Sequence, residues 1–213
     1  MILARYSPKR AEKIIERLHP LIQRTEDAWG VPAPYLQAIL YQEITHIDYL
    51  DALADGAVAC YWARYALGQR LGRKAPSAKG WLGKRDSSTG YAQVFAFVAI
   101  RVMAFAVDQG RAGWAQWGFD HPLTADRPAD LRAVWRRLHT DRAFNLTAAA
   151  LHLLFAAQEQ TGRIDFSSYS PEEIQRIFTR YNADTRAVTP YGREAYAHYL
   201  RYLGQTDGGK RAA

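Results

Sequence analysis

The 213-residue chain has one cysteine, Cys60, and two methionines. A single cysteine excludes an internal disulfide framework and any cysteine-built zinc site. Alternating apolar and polar runs of useful length are missing, which argues against a sheet protein. Long apolar runs are missing as well. The most apolar stretch, Val94–Val107, carries Arg101 in its middle and falls short of the roughly 20 residues that a bilayer crossing needs. The opening MILARYSPKR has neither the apolar core nor the small-residue cleavage site of a secretory signal. The expectation is a chain without a membrane span, cytoplasmic by default or exported by a route that needs no signal peptide. Anionic residues are scarce: 21 Asp and Glu stand against 28 Lys and Arg, a net charge of +7. That balance favours anionic partners such as nucleic acid, an acidic lipid surface or an acidic wall polymer.

The apolar fraction, 48 %, is enough to offset the entropy of ordering a chain of this length. Its periodicity is helical. Ser7-Pro8 is a cap followed by a proline at the first helical position, and Ile14, Ile15, Leu18, Leu21 and Ile22 follow at helical spacing. Pro20 is expected to kink or divide that segment. Further helices are expected over Pro34–Ile47, Leu50–Leu71, Tyr91–Gln109, Ala129–His139 and Asn145–Gln160. Ser170-Pro171-Glu172-Glu173 is a capping box that opens another helix. The last covers Tyr191–Leu203 and closes at Gly204. Gly72–Gly90 is basic and rich in small residues, and reads as a long loop with room for a short β-like pairing. The fold class is all-α, a single globular domain. Residues 1–30 form a helical segment packed on a domain of residues 31–204, and residues 205–213 form a flexible tail.

One side chain contradicts its pattern. Leu36, Ile39, Leu40, Glu43 and Ile47 share one face of the Pro34–Ile47 helix, so Glu43 falls where an apolar residue is expected. Burial penalises an ionised carboxylate, and a carboxyl that keeps its proton can serve as a general acid. The bland reading is a glutamate that reaches solvent or pairs with an arginine. Glu43 also opens a Glu-x-x-His unit with His46, but the chain has no second such unit to complete a di-metal bundle. The six histidines lack the H-E-x-x-H spacing, so no metal ligand is assigned and no cofactor is expected. Neither a G-x-S-x-G elbow nor a P-loop is present. Cys60, in an Ala- and aromatic-rich helix, reads as a buried inert thiol.

Four segments then occur in an instructive order. Gly30-Val31-Pro32-Ala33-Pro34-Tyr35-Leu36 leads by one helix to Glu43. Ser87-Ser88-Thr89-Gly90-Tyr91-Ala92-Gln93-Val94 follows, then Asn145 at the start of an apolar helix, then Arg180-Tyr181-Asn182-Ala183-Asp184. Together they resemble the catalytic domain of soluble lytic transglycosylases and goose-type lysozymes, a lysozyme-like family with one catalytic glutamate. The likeness covers about Val31 to Leu203. Ile44 stands where the family has a serine, Ala92 where it has a methionine, and Asp184 where it has a glycine. The segment between Glu43 and Gly90 is longer and more helical than is common there.

The resemblance implies cleavage of the β-1,4 bond between N-acetylmuramic acid and N-acetylglucosamine in peptidoglycan glycan strands. Glu43 would be the acid and base, with Tyr181 orienting it. Ser88, Gly90, Tyr91, Gln93 and Asn182 would contact sugar, and Tyr91 rather than Trp81 is the expected stacking ring. Asp86 would be the second carboxylate if the reaction were hydrolysis. Substrate-assisted transglycosylation needs no second carboxylate. A delivered toxin or phage lytic protein would share this chemistry. Two rivals remain: a non-catalytic glycan-binding or structural domain on the same fold, and a helical nucleic-acid-binding protein. The second is permitted by the net charge and by Arg136-Arg137, but the cations are scattered and form no recognised motif.

Overall fold

A computed structural model describes residues 6–210, the side chains of 206–210 excepted. Residues 1–5 of the expected N-terminal segment and 211–213 of the expected tail lie outside the described residues. The helices are α1 (Pro8–Trp29), α2 (Ala33–His46), α3 (Tyr49–Arg70), α4 (Ala96–Asp108), α5 (Pro128–Thr140), α6 (Arg142–Thr161), α7 (Pro171–Asn182) and α8 (Pro190–Lys210). Single 3-10 turns sit at Trp81–Gly83 and Trp114–Trp117. Among the described residues there is no strand. The short pairing expected for the 72–90 loop is an isolated antiparallel bridge at its end, between Thr89 and Val94. The chain is all-α.

The helices start where their caps are. Ser7 accepts from the Arg10 amide at the head of α1. Asp48 and Asp51 form a capping box on α3, and Ser170 and Glu173 form one on α7. Such boxes satisfy amide groups that the first turn of a helix leaves without an internal acceptor. Pro20 does not divide α1. Ala11, Ile14, Ile15 and Leu18 before it and Ile22 after it are all buried, and α1 packs on α2, so packing carries the helix across one missing amide. α4 begins at Ala96 rather than Tyr91, because residues 89–94 are held as a turn. α8 does not stop at Gly204 but continues to Lys210, so the expected tail is helical over its described part. A glycine costs a helix about 1 kcal/mol, which is too little by itself to end one.

By its internal contacts the described chain forms two compact units. One comprises Ile47–Asn145, and in it α4 packs on α5. The other comprises Tyr6–His46 together with the chain from Leu146 onward. In it α2 packs on both α1 and α8, and α7 packs on α8. The core of this second unit includes Tyr35, Leu36, Ile39, Leu40, Ile177 and Phe178. α2 is buried on nearly every side, the pattern of a central helix rather than a surface one.

The approach of α8 to α7 depends on Gly192. A Cβ built there would lie 2.1 Å from the Thr179 hydroxyl and 2.4 Å from the Gln175 carbonyl. The turn between these helices is stitched at the same place, where the Thr189 amide donates to Thr179 Oγ1 at 3.1 Å. Gly192→Ala is therefore expected to lower the folding free energy by about 1–3 kcal/mol, the usual range for overpacking. Urea unfolding checks this, and a loss below about 0.5 kcal/mol, the level of a neutral surface change, would show that the helices can separate at no cost.

Candidate active site

Glu43 lies near the end of α2, half-buried between the buried Gln42 and Ile44. Burial on this face is what its place beside Leu36, Ile39 and Leu40 predicts. Tyr191, in the first turn of α8, donates its hydroxyl to Glu43 Oε1. Tyr181, near the end of α7, is buried beside the same carboxyl, and its ring lies 4.4 Å from that of His152 on α6. Three helices thus bring one carboxyl and two phenols together within the second unit. Burial first, and then the charge of Glu43, push both phenols well above the ordinary tyrosine range; the hydrogen bond to Glu43 adds to the effect at Tyr191. A phenol beside a carboxylate resists ionising because a second negative charge is disfavoured there. Both tyrosines therefore stay neutral, and Tyr191 remains a donor. A parallel contact, Gln42 Nε2 donating to Glu194 Oε2 at 3.0 Å, ties α2 to α8 one residue away.

The sequence reading missed Tyr191. Its local signal is Thr189-Pro190-Tyr191-Gly192, a proline-led helix start with a glycine in the first turn. Nothing in that string points to a partner 148 positions away. Asn182 is the last residue of α7 and is exposed. Arg180, next to Tyr181, is buried and pairs with Glu159 at 3.1 Å and Asp184 at 3.4 Å. Asp184 thus serves as a partner for that arginine.

The second and third segments meet in the other unit. Asn145, buried at the start of α6, donates Nδ2 to the Thr89 carbonyl at 3.0 Å and accepts from the Ala92 amide at 3.0 Å. This clamps the turn that carries Gly90, Tyr91 and Gln93. Gly90 has φ +73° and a Cβ there would lie 2.4 Å from Asn145 Nδ2, so only glycine fits. Gln93 has φ +47°, uncommon outside glycine. Its side chain compensates: Nε2 donates to the Gly90 carbonyl at 2.7 Å and Oε1 accepts from Ser88 Oγ at 3.1 Å. Tyr91 is half-buried with the Arg142 guanidinium 5.9 Å from its ring centre, while Trp81 is exposed.

Beneath the turn is a polar network. Asp55 accepts from Ser87 Oγ at 2.6 Å and from Thr89 Oγ1 at 3.0 Å. The Thr89 hydroxyl directs its hydrogen to Asp55, so His139 Nδ1 is the donor in its 2.9 Å contact with Thr89 Oγ1. Trp135 Nε1 donates to Ser87 Oγ at 3.0 Å. The Ser87 proton points to a carboxylate and its hydroxyl is buried, so this serine–histidine–aspartate group is scaffold and not a nucleophile with its base. Asp86 also has a supporting role. It accepts from the Ser87, Ala96 and Phe97 amides at 2.9, 3.0 and 3.0 Å, capping α4, whose N-cap residue Phe95 supplies no side-chain bond.

Among the described residues no group of three or more His, Cys, Asp and Glu could hold a metal ion. His46 Nδ1 instead donates to the Gln42 carbonyl at 2.7 Å. Cys60 is exposed, not buried as its helix suggested. A cavity of about 730 Å³ is lined by residues of α1, α2 and α8 that include Lys9, Glu12 and Arg201; Glu43 is not among them. No protein-family model, curated protein or solved structure matches this chain.

Asp86 yields a pH prediction. Burial pushes its pKa up to about 6, the three amide bonds hold it back, and the charge of Asp55 adds a little to the rise. The folded state therefore holds this proton more tightly than the unfolded chain. The resulting stability is fully present below the ordinary aspartate pKa and is lost as pH rises through about 6. Carboxyl carbon shifts followed by NMR should give an Asp86 midpoint of about 6. A midpoint in the usual aspartate range would mean the amide bonds outweigh burial.

Proposed function

We propose that the protein is a peptidoglycan glycosidase in which Glu43 is the single acid and base. The observation that carries this reading is the setting of Glu43: a half-buried carboxyl on an otherwise buried helix, oriented by the neutral hydroxyl of Tyr191. The family resemblance supports the substrate, the β-1,4 bond between N-acetylmuramic acid and N-acetylglucosamine.

In the first step, protonated Glu43 gives its proton to the glycosidic oxygen as the bond to the anomeric carbon breaks. The carbonyl oxygen of the substrate's 2-acetamido group takes up the developing charge at that carbon. Glu43, now a carboxylate, removes the proton of the muramic 6-hydroxyl as that oxygen bonds to the anomeric carbon. The product is a 1,6-anhydro sugar and the acid is regenerated. Tyr191 fixes the rotation of the carboxyl through Oε1 and donates throughout, while Tyr181 keeps water from that side. Asn182, next to Tyr181 on α7, is assigned to a sugar contact. The amide bonds of Asp86 support leaving it out of the chemistry. That favours the anhydro product over two-carboxylate hydrolysis.

Intact sacculi digested by the wild type should release anhydro-muropeptides detectable by mass spectrometry. Glu43→Gln should lower their rate by about 100-fold or more, the usual share of general acid–base catalysis. Tyr191→Phe removes a bond that favours the ionised carboxyl. It should keep reduced activity, because the carboxyl loses the contact that fixes its rotation. Reducing-end products would redirect the reading to a hydrolase. Binding to sacculi with no product from any variant would favour the non-catalytic glycan-binding domain.

A further inference from the structure

α3 presents a face that neither the core nor Glu43 uses. At 3.6 residues per turn, Tyr49, Leu53, Cys60, Ala63, Leu67 and Leu71 lie within about 50° of one line along the helix. All are exposed, and Tyr49, Leu53, Leu67 and Leu71 are each more than half so. Val58, Tyr61 and Trp62 on the opposite side are buried. The 3-10 turn at Trp81–Gly83 packs against α3 and adds exposed Trp81 and Leu82. Scattered exposed apolar residues need no explanation, but an aligned row of this length does.

From Gly56 onward the charge along the row is of one sign, while Asp48 beside Tyr49 caps the first turn of α3. From Gly56 to Arg85 the chain has no Asp or Glu, and its cations include Arg64, Arg70, Arg73, Lys74, Lys84 and Arg85. Arg64 and Arg70 flank the row on either side, each about 60° from its line. Lys84 Nζ sits 4.3 Å from the centre of the Trp81 ring. Acidic Asp51 and Asp55 point from the other side of the helix, where Asp55 is engaged with Ser87 and Thr89.

We propose that this face rests on the surface of a bilayer containing anionic lipid, with α3 in the plane of the interface. Leu53, Leu67, Leu71, Trp81 and Leu82 enter the boundary between headgroups and acyl chains. The flanking arginines and lysines lay their stems along the apolar row and place their charges at the phosphates. A second copy of the chain would bring two cation-rimmed faces together. A soluble polyanion would engage the cations but leave the apolar row in water. Among the described residues no helix is long and apolar enough to cross a membrane, so the contact is with one surface only. The proposal does not depend on Glu43.

The test is co-sedimentation of the full chain with vesicles of phosphatidylcholine, with and without about 30 % phosphatidylglycerol, and with soluble inorganic polyphosphate. The wild type should partition onto the anionic vesicles, and about 0.5 M salt should weaken this by screening the phosphates. Trp81→Ala with Leu82→Ala should weaken partitioning about tenfold through lost apolar burial. Arg73→Gln and Lys74→Gln should each weaken it about fivefold. These side chains are exposed, and circular dichroism of each variant should match the wild type. Absence of partitioning, or partitioning that the Trp81 and Leu82 changes leave unaltered, overturns the proposal. So does equal binding to polyphosphate. A dimer by light scattering that Leu67→Glu converts to monomer would also overturn it, in favour of self-association.

Discussion

The second unit is organised around the need to satisfy a carboxyl on a helix that is otherwise buried. Glu43 on α2 loses much of its hydration, and a carboxyl in that position needs a donor. The donor comes from the first turn of α8, which can reach it only because α8 lies tightly against α7. Gly192 permits that approach by having no side chain, and the Thr179–Thr189 contacts hold the turn between the helices. Tyr181, near the end of α7, lies buried beside Glu43 and His152. One polar atom on α2 therefore constrains the start of α8, the end of α7 and the turn that joins them.

The first unit solves a different problem with similar means. Its 86–94 segment lies outside any helix or sheet, so the single Thr89–Val94 bridge pairs some of its amide and carbonyl groups and side chains take others. Asn145 takes the Thr89 carbonyl and the Ala92 amide, Gln93 takes the Gly90 carbonyl, and Asp86 takes the first amides of α4. Asp55, Ser87, Thr89 and His139 close the layer below. Buried polar groups are tolerated when each has a partner, and here the partners come from α3, α5 and α6.

Much of this was legible in the sequence, and the exceptions have physical causes. The helical periods, the capping box at Ser170 and the misplaced Glu43 are local patterns, and the helices and the half-burial of Glu43 follow them. Tyr191 was not legible because hydrogen bonding to Glu43 is a long-range event with no local trace. Asp86 looked like a loop carboxylate because its acceptors' partners lie ten residues later, on a helix whose start was placed too early. Cys60 was misplaced for another reason. α3 is rich in Ala and carries apolar residues on both faces, so periodicity alone could not say which face is inside. Gly204 does not end α8, because the cost of one glycine is small, and Pro20 does not divide α1, whose buried face continues across it.

The 86–94 segment has one more consequence. A flexible loop that closes on a ligand must surrender its conformational freedom at the moment of binding, and that loss weakens the complex. This turn has surrendered it already, during folding. Gln93 is held at a positive φ by its own side chain, and Gly90 is pressed against Asn145. Whatever meets Ser88, Tyr91 and Gln93 meets a surface of fixed shape, whose selectivity rests on fit rather than on adaptation.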